Sequence, residues 1–115
     1  MTDPCDWTAA DLAKAYRESK LSPVEVTGAV LDRAISSQTA LNAFCFLDAE
    51  SALVAARNSE ARWRGGDPRS SIDGVQVSVK DNIATAGMPT RFGSRALTDD
   101  QIWRPDSPSV ARCDE

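Results

Sequence analysis

The sequence predicts an α/β protein, with helices leading into the first strands of a larger sheet in the order ααβαβ. Three observations point there. Apolar residues recur every three or four positions behind two strong helix starts in the first forty residues. Val75, Val77 and Val79 alternate with Gln76, Ser78 and Lys80, the two-residue period of a strand with one buried face. An alanine-rich stretch of helical spacing separates that segment from an earlier extended run, which is the layout of a crossover between parallel strands. The chain thus divides into a helical lead-in over 1–40, a βαβ unit over 41–80 ending at Lys80, and a loop-rich part over 81–115. Two strands make a poor sheet by themselves, so the expected sheet is incomplete and the whole reads as the opening of a larger α/β domain.

Each element has a local cause. Thr8 with Asp11 three residues on marks a helix start, the hydroxyl capping free amides and the carboxylate favouring the positive end of the helix. Leu12, Ala15 and Tyr16 give this helix its apolar side, to about Ser19. Ser22-Pro23-Val24-Glu25 is a stronger start, with a serine cap, proline in the first turn and glutamate at the third position. That helix is expected to reach about Ser37, with Val24, Thr27, Val30, Leu31, Ala34 and Ile35 inward. Leu41 to Leu47, with Phe44 and Phe46 flanking a buried Cys45, reads as a short strand or extended segment, the first of the chain. Asp48 caps a third helix from Ala49 to about Arg64, with Ala49, Ala52, Leu53, Ala56 and Trp63 on one side. From Asn82 onward the sequence reads mostly as loop, with Ala96 to Gln101 open to either reading. Trp7, Trp63 and Trp103 read as core or interface anchors.

Composition narrows the chemistry. With 115 residues and 42% hydrophobic content the chain has one domain's length and enough apolar matter to avoid the disordered class. A formal charge of −4 argues against a nucleic-acid partner drawn by bulk charge. There is no histidine, which removes the commonest general base and metal ligand together. The three cysteines, Cys5, Cys45 and Cys113, lie far apart and form neither a disulfide framework nor a zinc set. The first residues have no basic and apolar leader, and no run reaches the length of a membrane span. The expectation is a cytoplasmic protein away from membranes.

Among the titratable groups, Lys80 stands apart. Lys14 and Lys20 belong to helical text, whereas Lys80 ends the alternating segment and opens a loop punctuated by Gly87, Pro89 and Gly93. A lysine that is to accept a proton near neutral pH must have its pKa brought from about 10.4 towards about 7, which costs roughly 4–5 kcal/mol. The serine pairs Ser36-Ser37 and Ser70-Ser71 lie in a helix end and a turn, outside any glycine-rich frame. Cys113 is followed by Asp114 and Glu115, whose charges would hold a thiol protonated. Neither offers a nucleophile for Lys80 to serve.

The run Gly-Val-Gln-Val-Ser-Val-Lys-Asp-Asn-Ile-Ala-Thr-Ala-Gly-Met-Pro-Thr-Arg-Phe-Gly-Ser, from Gly74 to Ser94, resembles the first block of the amidase signature family. Leu21-Ser22-Pro23-Val24-Glu25-Val26, Leu41-Asn42-Ala43-Phe44, Ser94-Arg95-Ala96-Leu97, Asp106 and Val110-Ala111-Arg112 fit the same course, so the resemblance covers nearly the whole chain. The family includes bacterial amidases and the A subunit of aspartyl/glutamyl-tRNA amidotransferase. It implies hydrolysis of a small-molecule amide through a Ser–cis-Ser–Lys arrangement, without metal or cofactor.

Matched position by position, the family's catalytic lysine falls on Lys80. Asp81 and Asn82 follow as supporting residues that fix the loop, and Thr90, Gly93 and Ser94 match a Thr-x-x-Gly-Ser element of loop geometry. The glycine- and serine-rich block that holds both serines in the family does not occur in these residues. The resemblance therefore implies the N-terminal portion of an amidase, truncated and silent by itself. The alternatives are an A-subunit-like piece of the tRNA amidotransferase, or a non-catalytic interaction module. Such a module would pair with a full-length relative, a complementing chain or another copy of itself.

Overall fold

The computed structural model describes residues 2–98, 100 and 105–115. It is helical. After a 3-10 turn at Pro4–Asp6 come helices α1 (Ala9–Arg17), α2 (Pro23–Leu41), α3 (Ala49–Arg64) and α4 (Pro108–Cys113), and no β-strand occurs among the described residues. The chain forms two compact units, Met1–Gln76 and Val77–Glu115.

The helix starts behave as their residues dictate. The Thr8 hydroxyl accepts from the Asp11 N–H at 3.2 Å. Ser22 and Glu25 form a reciprocal capping box, the Ser22 Oγ taking the Glu25 N–H at 3.1 Å and the Glu25 carboxylate the Ser22 N–H at 2.8 Å. Asp48 caps α3 through the Ser51 N–H at 3.0 Å. At the N-terminus Arg33 reaches from α2 to Asp3 at 2.6 Å and Asp6 at 2.7 Å, holding the 3-10 turn against that helix.

The core of the first unit is Leu12, Tyr16 and Val26, with Trp7, Leu21, Val30, Trp63 and Val75 packed around it. The inward face of α2 is mostly the one its spacing suggested, with Val26 added and Ile35 left out. Val26 is fully enclosed and Thr27 and Ala34 are buried, whereas Ile35 is 56% exposed. Of the expected stripe, Thr27, Val30 and Ala34 turn to the core, and α2 packs mainly against α3 and the 3-10 turn.

The expected α/β class with order ααβαβ is overturned, because neither predicted strand forms. Over 41–47 the reason is local. Leu41 is the last residue of α2, and Asn42 leaves the helix in the left-handed conformation, φ 46°. The Gln38 side chain then reaches Phe44, its Nε2 donating to the Phe44 carbonyl and its Oε1 accepting the Phe44 N–H at 3.2 Å. Those are the two backbone groups a neighbouring strand would have used. Cys45, expected to be buried, is exposed, as are Phe46 and Leu47. Over 75–80 the alternation survives in the sequence, but the segment has no ladder and Val77 and Val79 stand 66% and 39% exposed. The loop-rich reading of 82–115 missed α4. The reading of Trp103 lies outside the described residues, as do Asp99 and Gln101 of the ambiguous 96–101 stretch.

Candidate functional site

Two hydrogen-bonded clusters bear on the block from Gly74 to Ser94, one in each unit. In the first unit the centre is Asp73, whose side chain is 4% exposed. Arg62 grips its carboxylate with two bonds, Nε at 2.6 Å and an outer nitrogen at 2.7 Å. The Arg69 N–H adds a third at 3.0 Å. The Arg62 guanidinium, with the Arg69 N–H, holds the Asp73 acid down at about 2, against the opposing effect of its burial.

Around it the chain is fixed by its own backbone groups. Trp63 donates its indole N–H to the Asp73 carbonyl at 2.9 Å. Gln76 donates to Thr27 Oγ1 at 2.7 Å and to the Gly74 carbonyl at 2.9 Å, where the Tyr16 hydroxyl also donates at 3.4 Å. Gly74 has φ +84°, and a Cβ built on it would lie 2.4 Å from Ser59 Oγ and 2.8 Å from Pro23. Only glycine fits that turn.

The second unit begins just before Lys80 and contains every expected site residue. Lys80 is exposed and opens a turn, its carbonyl accepting the Ile83 N–H at 2.9 Å. Asp81 does the gathering. Its Oδ1 accepts the Arg91 N–H at 3.0 Å and its Oδ2 the Gly93 N–H at 3.2 Å. Its carbonyl accepts the intervening Phe92 N–H at 3.0 Å. Three successive amides therefore converge on one residue, across a loop of ten positions.

The arrangement holds Phe92 at φ 52° and Gly93 at φ 67°. A bulky residue in the left-handed region costs about 1–2 kcal/mol, and the Asp81 bonds offset that strain. Thr90, immediately before these amides, is buried at 5% exposure. Ser94, immediately after, is exposed, and its Oγ accepts the Ala96 N–H at 3.2 Å. Asn82 lies exposed in the Lys80 turn.

The structure thus brings Asp81, Gly93 and the flanking Thr90 and Ser94 into one loop that returns to the residue beside Lys80. A single residue with both carboxylate oxygens on backbone amides is a geometric device. It closes the loop that follows Lys80. The Arg62–Asp73 pair was missed in the sequence because its members lie eleven positions apart with no motif. The Ser-Pro signal at Ser107-Pro108 was available and marks α4.

A groove of about 450 Å³ lies in the first unit, floored by Tyr16 and Trp63 and edged by Leu21, Pro23, Glu25 and Glu60. It contains none of the expected site residues. Among the described residues no group of three histidine, cysteine, aspartate or glutamate side chains is placed to hold a metal. No described helix is long and apolar enough to cross a membrane.

A helical lead-in, an Asp73-pinned turn and an Asp81-closed loop behind a lysine are the features of the matched segment. The family described as Amidase matches residues 25–113, and the chain belongs to it. It is 43% identical over 114 residues to the glutamyl-tRNA(Gln) amidotransferase A subunit of Salinispora tropica, an alignment covering 97% of this chain and 23% of that protein. It is 40% identical over 105 residues to the corresponding A subunit of Acidothermus cellulolyticus, covering 91% and 20% respectively. Against the mitochondrial A subunit of Ixodes scapularis it is 39% identical over 90 residues, covering 78% and 18%. The chain spans about a fifth of the length of these curated relatives.

Proposed function

We propose that this chain supplies the proton-accepting lysine, Lys80, of a carboxamide hydrolase of the Ser–cis-Ser–Lys type. The observation behind the reading is the Asp81 closure, which fixes the loop leaving Lys80 through two carboxylate–amide bonds at 3.0 and 3.2 Å. A base must sit within hydrogen-bond reach of the proton it takes, so a rigid backbone beside it serves the chemistry. Membership of the amidase family and the match of Val79-Lys80-Asp81-Asn82 to its first block support the role.

In this mechanism the Lys80 amine takes a proton from a serine of the glycine- and serine-rich block. That serine takes the proton of a second serine, whose oxygen attacks the amide carbon. The tetrahedral oxyanion collapses, the C–N bond breaks, and ammonia leaves with the proton returned through the same relay. Water then attacks the acyl ester, its proton taken by the relay and returned to the departing serine oxygen, and the free acid is released. Both serines are contributed from outside these 115 residues, so the 115 residues assayed alone release no ammonia.

The finer assignment is to the tRNA amidotransferase type, acting on glutamine and passing ammonia to a partner protein. The relatives named above, each called a glutamyl-tRNA(Gln) amidotransferase A subunit, favour it.

The test is a graft. Residues 2–115 replace the matched segment of the Salinispora tropica relative, and ammonia release is followed with glutamine and with simple carboxamides. The graft is active, and Lys80→Ala lowers kcat by about a thousandfold, within the range for loss of a general base. A Lys80→Ala graft as fast as its parent refutes the reading. Faster turnover of simple carboxamides than of glutamine would favour a general amidase.

A further inference from the structure

We infer that Asp106 is a positioning residue for the Lys80 loop, acting with the Ser107 amide as a two-point clip on Ala84 and Ala86. The inference rests on the role of Lys80 given above. The Asp106 Oδ1 accepts the Ala86 N–H at 2.6 Å, and the Ser107 N–H donates to the Ala84 carbonyl at 2.9 Å. Ala84 and Ala86 are two positions apart, and both bonded groups meet the adjacent residues 106 and 107, so they share one edge of the loop. One donor and one acceptor on that edge meet one acceptor and one donor from 106–107. The Asp106 carboxylate stands where the backbone carbonyl of a neighbouring strand would stand.

Two attachment points fix orientation as well as position, which a single bond does not. The segment they hold has no helix or strand of its own. Between Lys80 and Gly93 its backbone is held by the Lys80–Ile83 and Thr85–Met88 turns, by Asp81, and by this clip. Asp81 ties down the far side of the loop, at 91–93, and leaves the near arm at 84–86 to Asp106. Both carboxylates bond backbone amides in the same unit, and together they leave the loop little freedom to shift the residue at its head.

The clip also explains the start of α4. Ser107 is the N-cap residue, yet its side chain makes no capping bond to the helix. Its hydroxyl pairs with the Ser109 hydroxyl at 3.1 Å instead, and its amide, outside the helical ladder, bonds the Ala84 carbonyl. Asp106 lies twenty residues beyond Ala86, so the clip closes a long stretch of chain on one carboxylate oxygen and one amide.

Amide hydrogen exchange on the 115-residue chain tests the clip itself. The Ala86 amide exchanges slowly, at least about tenfold slower than an unprotected amide, and Asp106→Ala abolishes that protection while Asp106→Asn, which keeps an acceptor oxygen, retains it. An unprotected Ala86 in the unsubstituted chain overturns the inference without any variant. In the graft, Asp106→Ala lowers kcat by about 10- to 100-fold with KM within about twofold, the scale of a misplaced reacting group, and Asp106→Asn restores most of the rate. If Lys80→Ala silences the graft but Asp106→Ala matches its parent, the positioning role is wrong and the role of Lys80 stands. If Lys80→Ala leaves the graft active, the role of Lys80 falls and the positioning role falls with it, whatever Ala86 shows.

Discussion

Replacing Asp73 with asparagine is the sharpest test of how the helical unit holds the turn at residues 73–76. The carboxyl lies near 2 in the folded chain against an ordinary value of 3.8, because Arg62 bonds it twice. A separation of nearly two pH units corresponds to about 2.5 kcal/mol of folding free energy at about 1.36 kcal/mol per unit. The folded-state value is depressed, so this contribution is complete well above 3.8 and is lost as the pH falls towards 2. Asparagine cannot carry the charge, and its amide nitrogen meets the donors of Arg62 or Arg69 in either orientation. Arg62, only 26% exposed at the side chain, is left with its partner gone. Urea unfolding followed by far-UV circular dichroism should show Asp73→Asn less stable than its parent by about 2–3 kcal/mol near neutral pH. The difference should shrink to below about 1 kcal/mol near pH 2.5, where the parent has lost most of the same contribution. An equal difference at both pH values would refute the electrostatic origin. No difference at neutral pH would refute the pairing altogether.

Gly74→Ala forces a Cβ against Ser59 and Pro23 at φ +84°, and thermal melts should show a loss of about 2–4 kcal/mol or no cooperative transition. A melt unchanged from the parent would contradict the close approach. Asp81→Ala should speed amide exchange at 91 and 93 by about tenfold or more, with α1 to α3 unaffected, since its bonds lie within the second unit. Uniform loss of protection across both units would show that Asp81 supports more than its loop. Gln38→Leu removes both partners of Phe44, and urea unfolding should register about 1–2 kcal/mol, with faster exchange at the Phe44 amide. An unchanged Phe44 exchange rate would sink the explanation for the missing first strand.

The helices were legible because their signals are local. Thr8, Ser22 with Glu25, and Asp48 each state a start within three or four residues, and all three make the expected caps. The run from Ala49 to Arg64 was readable end to end. The end of α2 was not, because Gln38, Thr39 and Ala40 contain no stop signal and the left-handed residue proved to be Asn42. The start of α4 repeats the Ser-Pro signal of α2 but lacks a glutamate at the third position, where Val110 stands. Half the pattern was present, and the helix there is six residues long. For the candidate site, the sequence marked out the block from Gly74 to Ser94, while the side chains that shape it were not readable. The bonds of Asp81 and Asp106 span ten to twenty residues, and those of Gln76 and Tyr16 to the first unit's core span 49 and 58.

The strand error has a different physical origin, and it bears on the site. Period-two alternation specifies which side of a segment is apolar, but a strand exists only when a second backbone supplies donors and acceptors. Val75, Val77 and Val79 state the first and are silent on the second. Here side chains take the place of a partner backbone three times. Gln38 occupies both groups of Phe44, Gln76 turns back on Thr27 and Gly74, and Asp106 receives Ala86 beside the Ser107 bond to Ala84. Each satisfies backbone or local polar groups without a ladder, which is why extended text gives loops of defined shape. The consequence for Lys80 is specific. Its loop takes its geometry from two carboxylates, Asp81 and Asp106, so a substitution at either should act on the lysine's placement while the helices of the first unit remain intact.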